Sequence, residues 1–221
     1  MTRRTNRGMG RAIMQAASAE SPRYAEPTSL GLFGLAIGCA ALLPLAFGVK
    51  EAFLPEALKT AALFCLLFGG GCQFLAGLMS FANKNMLGGT LLTTFSFNWV
   101  VNAWSLNEVA SGRIPSSAVG LYVDLCFLVI FVVMTYAFGF FSRLLLALLV
   151  DIDVLYVARI LRELAHAPSL GLVVAAATVC LMGLALYIAF AIVLANASGR
   201  QIFPIGAPVF KATPPPAPPA A

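Results

Sequence analysis

Charge is what this chain has least of. Only 10% of its 221 residues are Asp, Glu, Lys or Arg, against about a quarter in an ordinary soluble domain. Histidine occurs once, at His166 beside Pro168, which leaves no histidine pair for a metal and no histidine–nucleophile arrangement. Cysteine occurs five times (Cys39, Cys65, Cys72, Cys126, Cys180), always inside apolar runs and never as a CxxC pair. These thiols read as small buried hydrophobes rather than a disulfide framework or metal cage. HExxH, GxSxG and phosphate-cradling glycine loops are all missing, so neither an enzyme nor a cofactor is expected. No helix carries a basic stripe interleaved with aromatics, which argues against nucleic acid as a partner.

What is there is apolar. Hydrophobic residues reach 60% and the mean hydropathy is +0.91. A fold of this length needs a wetted polar skin, so an apolar surplus of this size must face a lipid bilayer. Six apolar runs, at about 30–49, 60–81, 87–106, 117–141, 144–165 and 170–196, are each long enough to cross about 30 Å of hydrocarbon. Lys50 to Lys59, Asn83-Lys84-Asn85, Asn107 to Pro115, Ser142-Arg143 and His166-Ala167-Pro168 separate them. The expected architecture is an all-α polytopic membrane protein, a six-transmembrane-helix bundle over residues 27–206. A basic, flexible cytoplasmic tail (1–26) precedes it, and a proline-rich tail (207–221) of polyproline character follows. The N-terminal tail holds Arg3, Arg4, Arg7, Arg11 and Arg23, and it reads either as a topology determinant or as an Arg-rich targeting peptide. Six spans put both termini on one side, together with Lys84, Arg143, Arg200 and Lys211. The positive-inside rule makes that side the cytoplasm, for instance that of a bacterial inner membrane.

Charges at membrane depth are costly and usually paired or functional. In an antiparallel hairpin of spans four and five, Asp124 and Arg159 lie about seventeen residues either side of the turn, at equal depth. The connectivity therefore predicts an Asp124–Arg159 ion pair; the bland alternative is an arginine that snorkels to the headgroups. Breaking such a pair leaves an unmatched buried charge, at a cost of about 3–5 kcal/mol. Asp151 and Asp153, two residues apart, point some 200° apart on a helix and cannot form one acid/base dyad. At least one must face a neighbouring helix or a water-filled path, as a proton relay or as a polar inter-helix contact.

Short motifs then carry a resemblance. Glu26-Pro27-Thr28-Ser29-Leu30-Gly31-Leu32 resembles the Asn-Pro-Ala-Pro-Leu-Gly signature of the acetate uptake transporter family, the succinate–acetate permease group. Phe68-Gly69-Gly70 with Gln73 and Ala76-Gly77-Leu78 resembles its second span, and Asn85, Gly88, Thr90, Thr93 and Trp99 its third. Ala185 to Ala189, Gly199-Arg200 and Pro204-Ile205-Gly206 resemble its sixth span and exit. The likeness is collinear over 26–206.

The resemblance implies a six-helix protomer with its own pathway, a homo-oligomer (a hexamer in that family), and transport of acetate or another small monocarboxylate, channel-like or proton-coupled. It implies a pore constriction at Leu35, Phe95 and Ile152. An apolar neck of that kind refuses hydrated ions and gates by dewetting. Gln73, Thr93, Thr94, Asn98, Asn102 and Tyr187 are the substrate-binding candidates. Asn98 and Asn102 share a helix face at i, i+4, where interhelical hydrogen bonding is the alternative role. Glu26, Asp124, Asp151, Asp153 and Arg159 are the proton or ion-pair candidates. The chain departs from the pattern at Glu26, at Ile192 in place of the sixth-span Glu, and at Asp124, Asp151 and Asp153, where neutral residues are usual. Those added carboxylates motivate two other readings: transport of a different small solute such as ammonium, or a membrane subunit that binds a partner and transports nothing.

Overall fold

A computed structural model describes residues 23–211; the four N-terminal arginines Arg3, Arg4, Arg7 and Arg11 and the proline-rich stretch after Lys211 lie outside it. The described chain is all-helical. Six long helices follow one another: α1 (Thr28–Ala46), α2 (Pro55–Ala82), α3 (Met86–Ala110), α4 (Ser117–Phe138), α5 (Arg143–Leu164) and α6 (Leu170–Ser198). A 3₁₀ turn, Lys50–Phe53, leads into α2.

Local chemistry sets the boundaries. Gly48 and Gly112 take positive φ just past α1 and α3, and Gly199 does the same at the end of α6, conformations in which a β-carbon is penalised. Asn85, Ser116 and Ser142 cap α3, α4 and α5 by accepting from the backbone N–H groups of Gly88, Val119 and Leu145, as short polar side chains do at helix starts. Span two begins five residues earlier than the hydropathy pattern predicts. Pro55 and Glu56 read as part of a polar break, yet proline at the first helical position and an acid in the first turn favour initiation. Within α2, Cys65–Cys72 winds as a π-helix.

Packing follows a circuit. α4 lies on α5, α5 on α6, α6 on α1, α1 on α2, and α2 on α3. Phe95 of α3 meets Phe131 of α4 edge-on, 5.2 Å between ring centroids, which closes the circuit. α1, α2, α4 and α6 are long and apolar enough to cross a membrane; α3 and α5 fall short on composition. They fall short because they carry the polar side chains, among them Asn98 and Asn102 on α3 and Asp151, Asp153, Arg159 and Arg162 on α5.

Trp99 shows how tightly the interior is filled. Its ring lies between Gly38 of α1 and Gly69 of α2, where an added β-carbon would fall 3.0 Å and 2.5 Å from ring atoms. Beyond α6 the chain turns back as a strap. The N–H groups of Val209 and Phe210 donate to the Gly139 carbonyl, and Leu144 N–H donates to Ile205 O. The Phe210 ring packs on Tyr136 and Phe140, 5.1 and 5.4 Å between centroids. At the same end, the Asn83 side chain exchanges two hydrogen bonds with the Tyr24 backbone.

Candidate functional site

A cavity of about 420 Å³ opens inside the circuit of helices. Most of its wall is apolar: Leu42 and Leu45 of α1, Leu58 of α2, Leu106 of α3 and Leu181 of α6. Six polar side chains and the Trp99 indole break that wall: Asn98 and Asn102 from α3, Tyr156, Arg159 and Arg162 from α5, and Thr178 from α6. The helix period explains the grouping, since 98 and 102 share a face at i, i+4, as 159 and 162 do at i, i+3. Phe95 and Ile152 form the deep end. Leu35 is buried in the same core, and all three are at most 7% exposed. The lining from Phe53, Leu58, Val109 and Val174 puts the mouth at the end of the bundle opposite the strap.

Arg159 is shared between the cavity and the helix behind it. Its Nε lies 3.1 Å from Asp124 Oδ2, and its guanidinium stands 5.6 Å from the centroid of the Tyr156 ring. Asp124 is 9% exposed and does not line the cavity. Arg162 has no carboxylate within ion-pair distance among the described residues. The wall therefore presents two guanidinium groups with one carboxylate, Asp124, set behind it, an environment that attracts anions. Behind the wall, Phe127 and Phe131 stack with each other and with Tyr156 at 5.4 to 6.0 Å.

Asp151 and Asp153 diverge as the helical rotation requires. Asp151 turns toward Cys180 of α6, whereas Asp153 Oδ2 accepts from Thr135 Oγ1 of α4 at 2.7 Å. Neither lines the main cavity; Asp153 borders a separate apolar groove between α5 and α6. Gln73 is fully buried with neither amide atom hydrogen-bonded, and the Oγ1 of Thr93 is likewise buried and unpartnered. Thr93 occupies the space a β-carbon would need at Gly77, at the α2–α3 contact.

Three candidates sit elsewhere. Thr94 borders a shallow cleft against α4 with Tyr122, Val123 and Phe127, because its position on α3 is rotated away from Phe95. Tyr187 packs its ring on Phe203 and donates from its hydroxyl to Pro204 O, fastening the strap. Glu26 is exposed and accepts from the Thr28 backbone N–H and hydroxyl, an acid at the positive end of α1. Sequence reasoning passed over Tyr156, Arg162 and Thr178, although Ile152, Tyr156, Arg159 and Arg162 form one stripe at helical spacing. Among the described residues no cluster of His, Cys, Asp or Glu could hold a metal.

Among solved structures, the bacterial acetate channel SatP aligns with a TM-score of 0.74, at 21% sequence identity, over 83% of this chain and 100% of that one. The chain has the acetate-channel fold. At this identity the likeness is one of backbone architecture, and it is the architecture that the acetate uptake transporter resemblance implies. No family model matches the sequence, and no curated protein does. The acetate-channel fold and four membrane-length apolar helices make this an integral membrane protein.

Proposed function

We propose that the chain carries a small carboxylate, acetate or another short monocarboxylate, across the membrane through each protomer. The observation that carries this reading is the cavity, an apolar chamber in which two amides and two guanidinium groups, with the Tyr156 and Thr178 side chains, are set above Phe95 and Ile152. Guanidinium and amide N–H groups are the donors a carboxylate needs when it sheds water. The apolar end beyond them, Phe95 and Ile152 with Leu35, serves as the neck: short enough for a two-carbon acid and too dry for a hydrated ion. The acetate channel with the same fold supports the substrate class.

In this reading all six helices span the bilayer, with α3 and α5 tolerating their polar residues because those side chains face the pathway or a neighbouring helix. Both termini are cytoplasmic, and the protomers assemble as a homo-oligomer, a hexamer by resemblance, through lipid-level apolar faces such as Val129, Val133 and Tyr136 of α4. Ammonium suits the pathway poorly, since the first charges it meets are Arg159 and Arg162.

The test is uptake of labelled acetate into liposomes containing purified full-length protein. Saturable uptake, competed by unlabelled short acids and insensitive to ammonium, is expected. Uptake no faster than into empty vesicles would overturn the reading, and co-purification of a fixed-stoichiometry partner with no uptake would favour the subunit alternative.

A further inference from the structure

Arg159 already has a carboxylate, and it comes from the protein. The cavity presents Arg159 to whatever enters, while Asp124 holds the same guanidinium from the α4 side at 3.1 Å. Resting on the reading of this cavity as the carboxylate's binding place, we propose that Arg159 receives the substrate carboxylate and that Asp124 is its built-in competitor, released by taking a proton.

The balance is closed. An anion and a proton enter from the mouth; the proton goes to an Asp124 oxygen, the Asp124–Arg159 contact breaks, and an Arg159–substrate contact forms. One negative and one positive charge have arrived, so the net charge of the site is unchanged, and the buried region never holds two carboxylates on one guanidinium. The anion then takes the Asp124 proton and passes the dry neck as the neutral acid, releasing that proton on the far side, while Arg159 returns to the ionised Asp124. α5 is the principal helix packed against α4, and it contributes all the titratable and charged groups that face Asp124: Tyr156, Arg159 and Arg162. α3 contributes no titratable group to the chamber, its polar groups there being the Asn98 and Asn102 amides and the Trp99 indole, and the one thiol on the wall is Cys39 of α1. No carboxylate lines the cavity itself, so the competition for Arg159 is between Asp124 behind the wall and the substrate alone.

Arg162 has a separate part. It lies nearer the mouth and has no carboxylate partner among the described residues, so it draws the anion in whatever the state of Asp124. Its removal therefore weakens uptake at every pH.

The experiment pairs labelled acetate uptake with current recorded from the same proteoliposomes on a solid-supported membrane. Wild-type protein is expected to take up acetate saturably, with KM rising at least about tenfold between pH 5.5 and 7.5, and with no net current. Asp124→Asn is expected to lose that pH dependence and to carry a negative current with acetate, because the anion now moves without its proton. Arg159→Gln is expected to raise KM about tenfold or more. Since Asp124→Asn strands Arg159, the neutral pair Asp124→Asn/Arg159→Gln provides the variant that folds, and it should show the raised KM and a flat pH profile. A double variant that keeps the wild-type KM and pH profile would overturn the proposal while leaving carboxylate transport intact. Wild-type vesicles without saturable uptake would overturn the transport reading itself.

Discussion

Glycine at residue 69 is a matter of space rather than of backbone conformation. The Trp99 ring fills the volume its β-carbon would need, and Trp99 is only 4% exposed, so the ring has nowhere to retreat. Gly69→Ala should overpack this point and destabilise the bundle by about 1–3 kcal/mol, seen as an earlier thermal transition by size-exclusion chromatography of heated, detergent-solubilised protein. Trimming the ring in the same chain (Gly69→Ala with Trp99→Leu) should recover part of the loss, since the two changes share one volume. Asn98 makes a different demand. Its amide lines the cavity, and the isosteric apolar change Asn98→Leu should leave the thermal transition near wild type while weakening acetate uptake about fivefold, the equivalent of one neutral hydrogen bond of about 1 kcal/mol. Equal uptake by the leucine variant would assign Asn98 to packing.

At the scale of elements, the hairpin of α4 and α5 is held by side chains matched in depth and by a clamp at its turn. Thr135–Asp153, Phe131–Tyr156 and Asp124–Arg159 succeed one another away from the turn. Across the turn itself lies the strap, with Phe210 on Gly139, Tyr136 and Phe140. Phe210→Ala should destabilise by about 2 kcal/mol, below the usual loss for a fully buried Phe because this ring is half-buried. Limited proteolysis should then cut first near Phe140. The Glu108–Arg113 pair at the end of α3 makes a contrasting case. Arg113 holds the Glu108 carboxyl below the usual carboxylate range, so whatever the pair contributes is present at neutral pH and fades as acid protonates Glu108. Arg113 is well exposed there, so Glu108→Gln should barely move the thermal transition at pH 7, and that small effect should vanish only once the pH falls below the usual carboxylate range.

Much of this was legible beforehand. Six apolar runs, their breaks, and an Asp124–Arg159 contact argued from equal depth all have counterparts in the structure. The start of α2 was not legible, because hydropathy counts Pro55 and Glu56 as interruptions whereas helix initiation uses them. Nor was the π-helical winding of Cys65–Cys72, which no residue pattern in that apolar run announces. Thr94 and Tyr187 illustrate a further limit: polarity in an apolar span marks a residue as unusual without saying which neighbour it will face.

Across the whole molecule, orientation and function bear on the same arginines. Tyr24 beside Asn83, and the strap across Gly139 to Leu144, gather both ends of the described chain with the α2–α3 and α4–α5 turns at one end of the bundle. Among the described residues that end holds Arg23, Lys84, Arg143, Arg200 and Lys211, five of the ten basic residues, and in the proposed orientation it faces the cytoplasm. The remaining five include Arg159 and Arg162, and these two line the cavity at the opposite end. In that proposed orientation positive charge on the outer side runs against the topological rule, so its presence needs another cause, and the proposed recruitment of an anion into the chamber supplies one. A green fluorescent protein fused after residue 211 should therefore fluoresce, while alkaline phosphatase inserted at Gly112 should be active. The thiol of an Arg162→Cys variant in a cysteine-free background should react with a membrane-impermeant cationic reagent added outside intact cells, and acetate should slow that reaction. Labelling of that thiol only after the membrane is opened would reverse the orientation, and with it the side from which a carboxylate first meets Arg162.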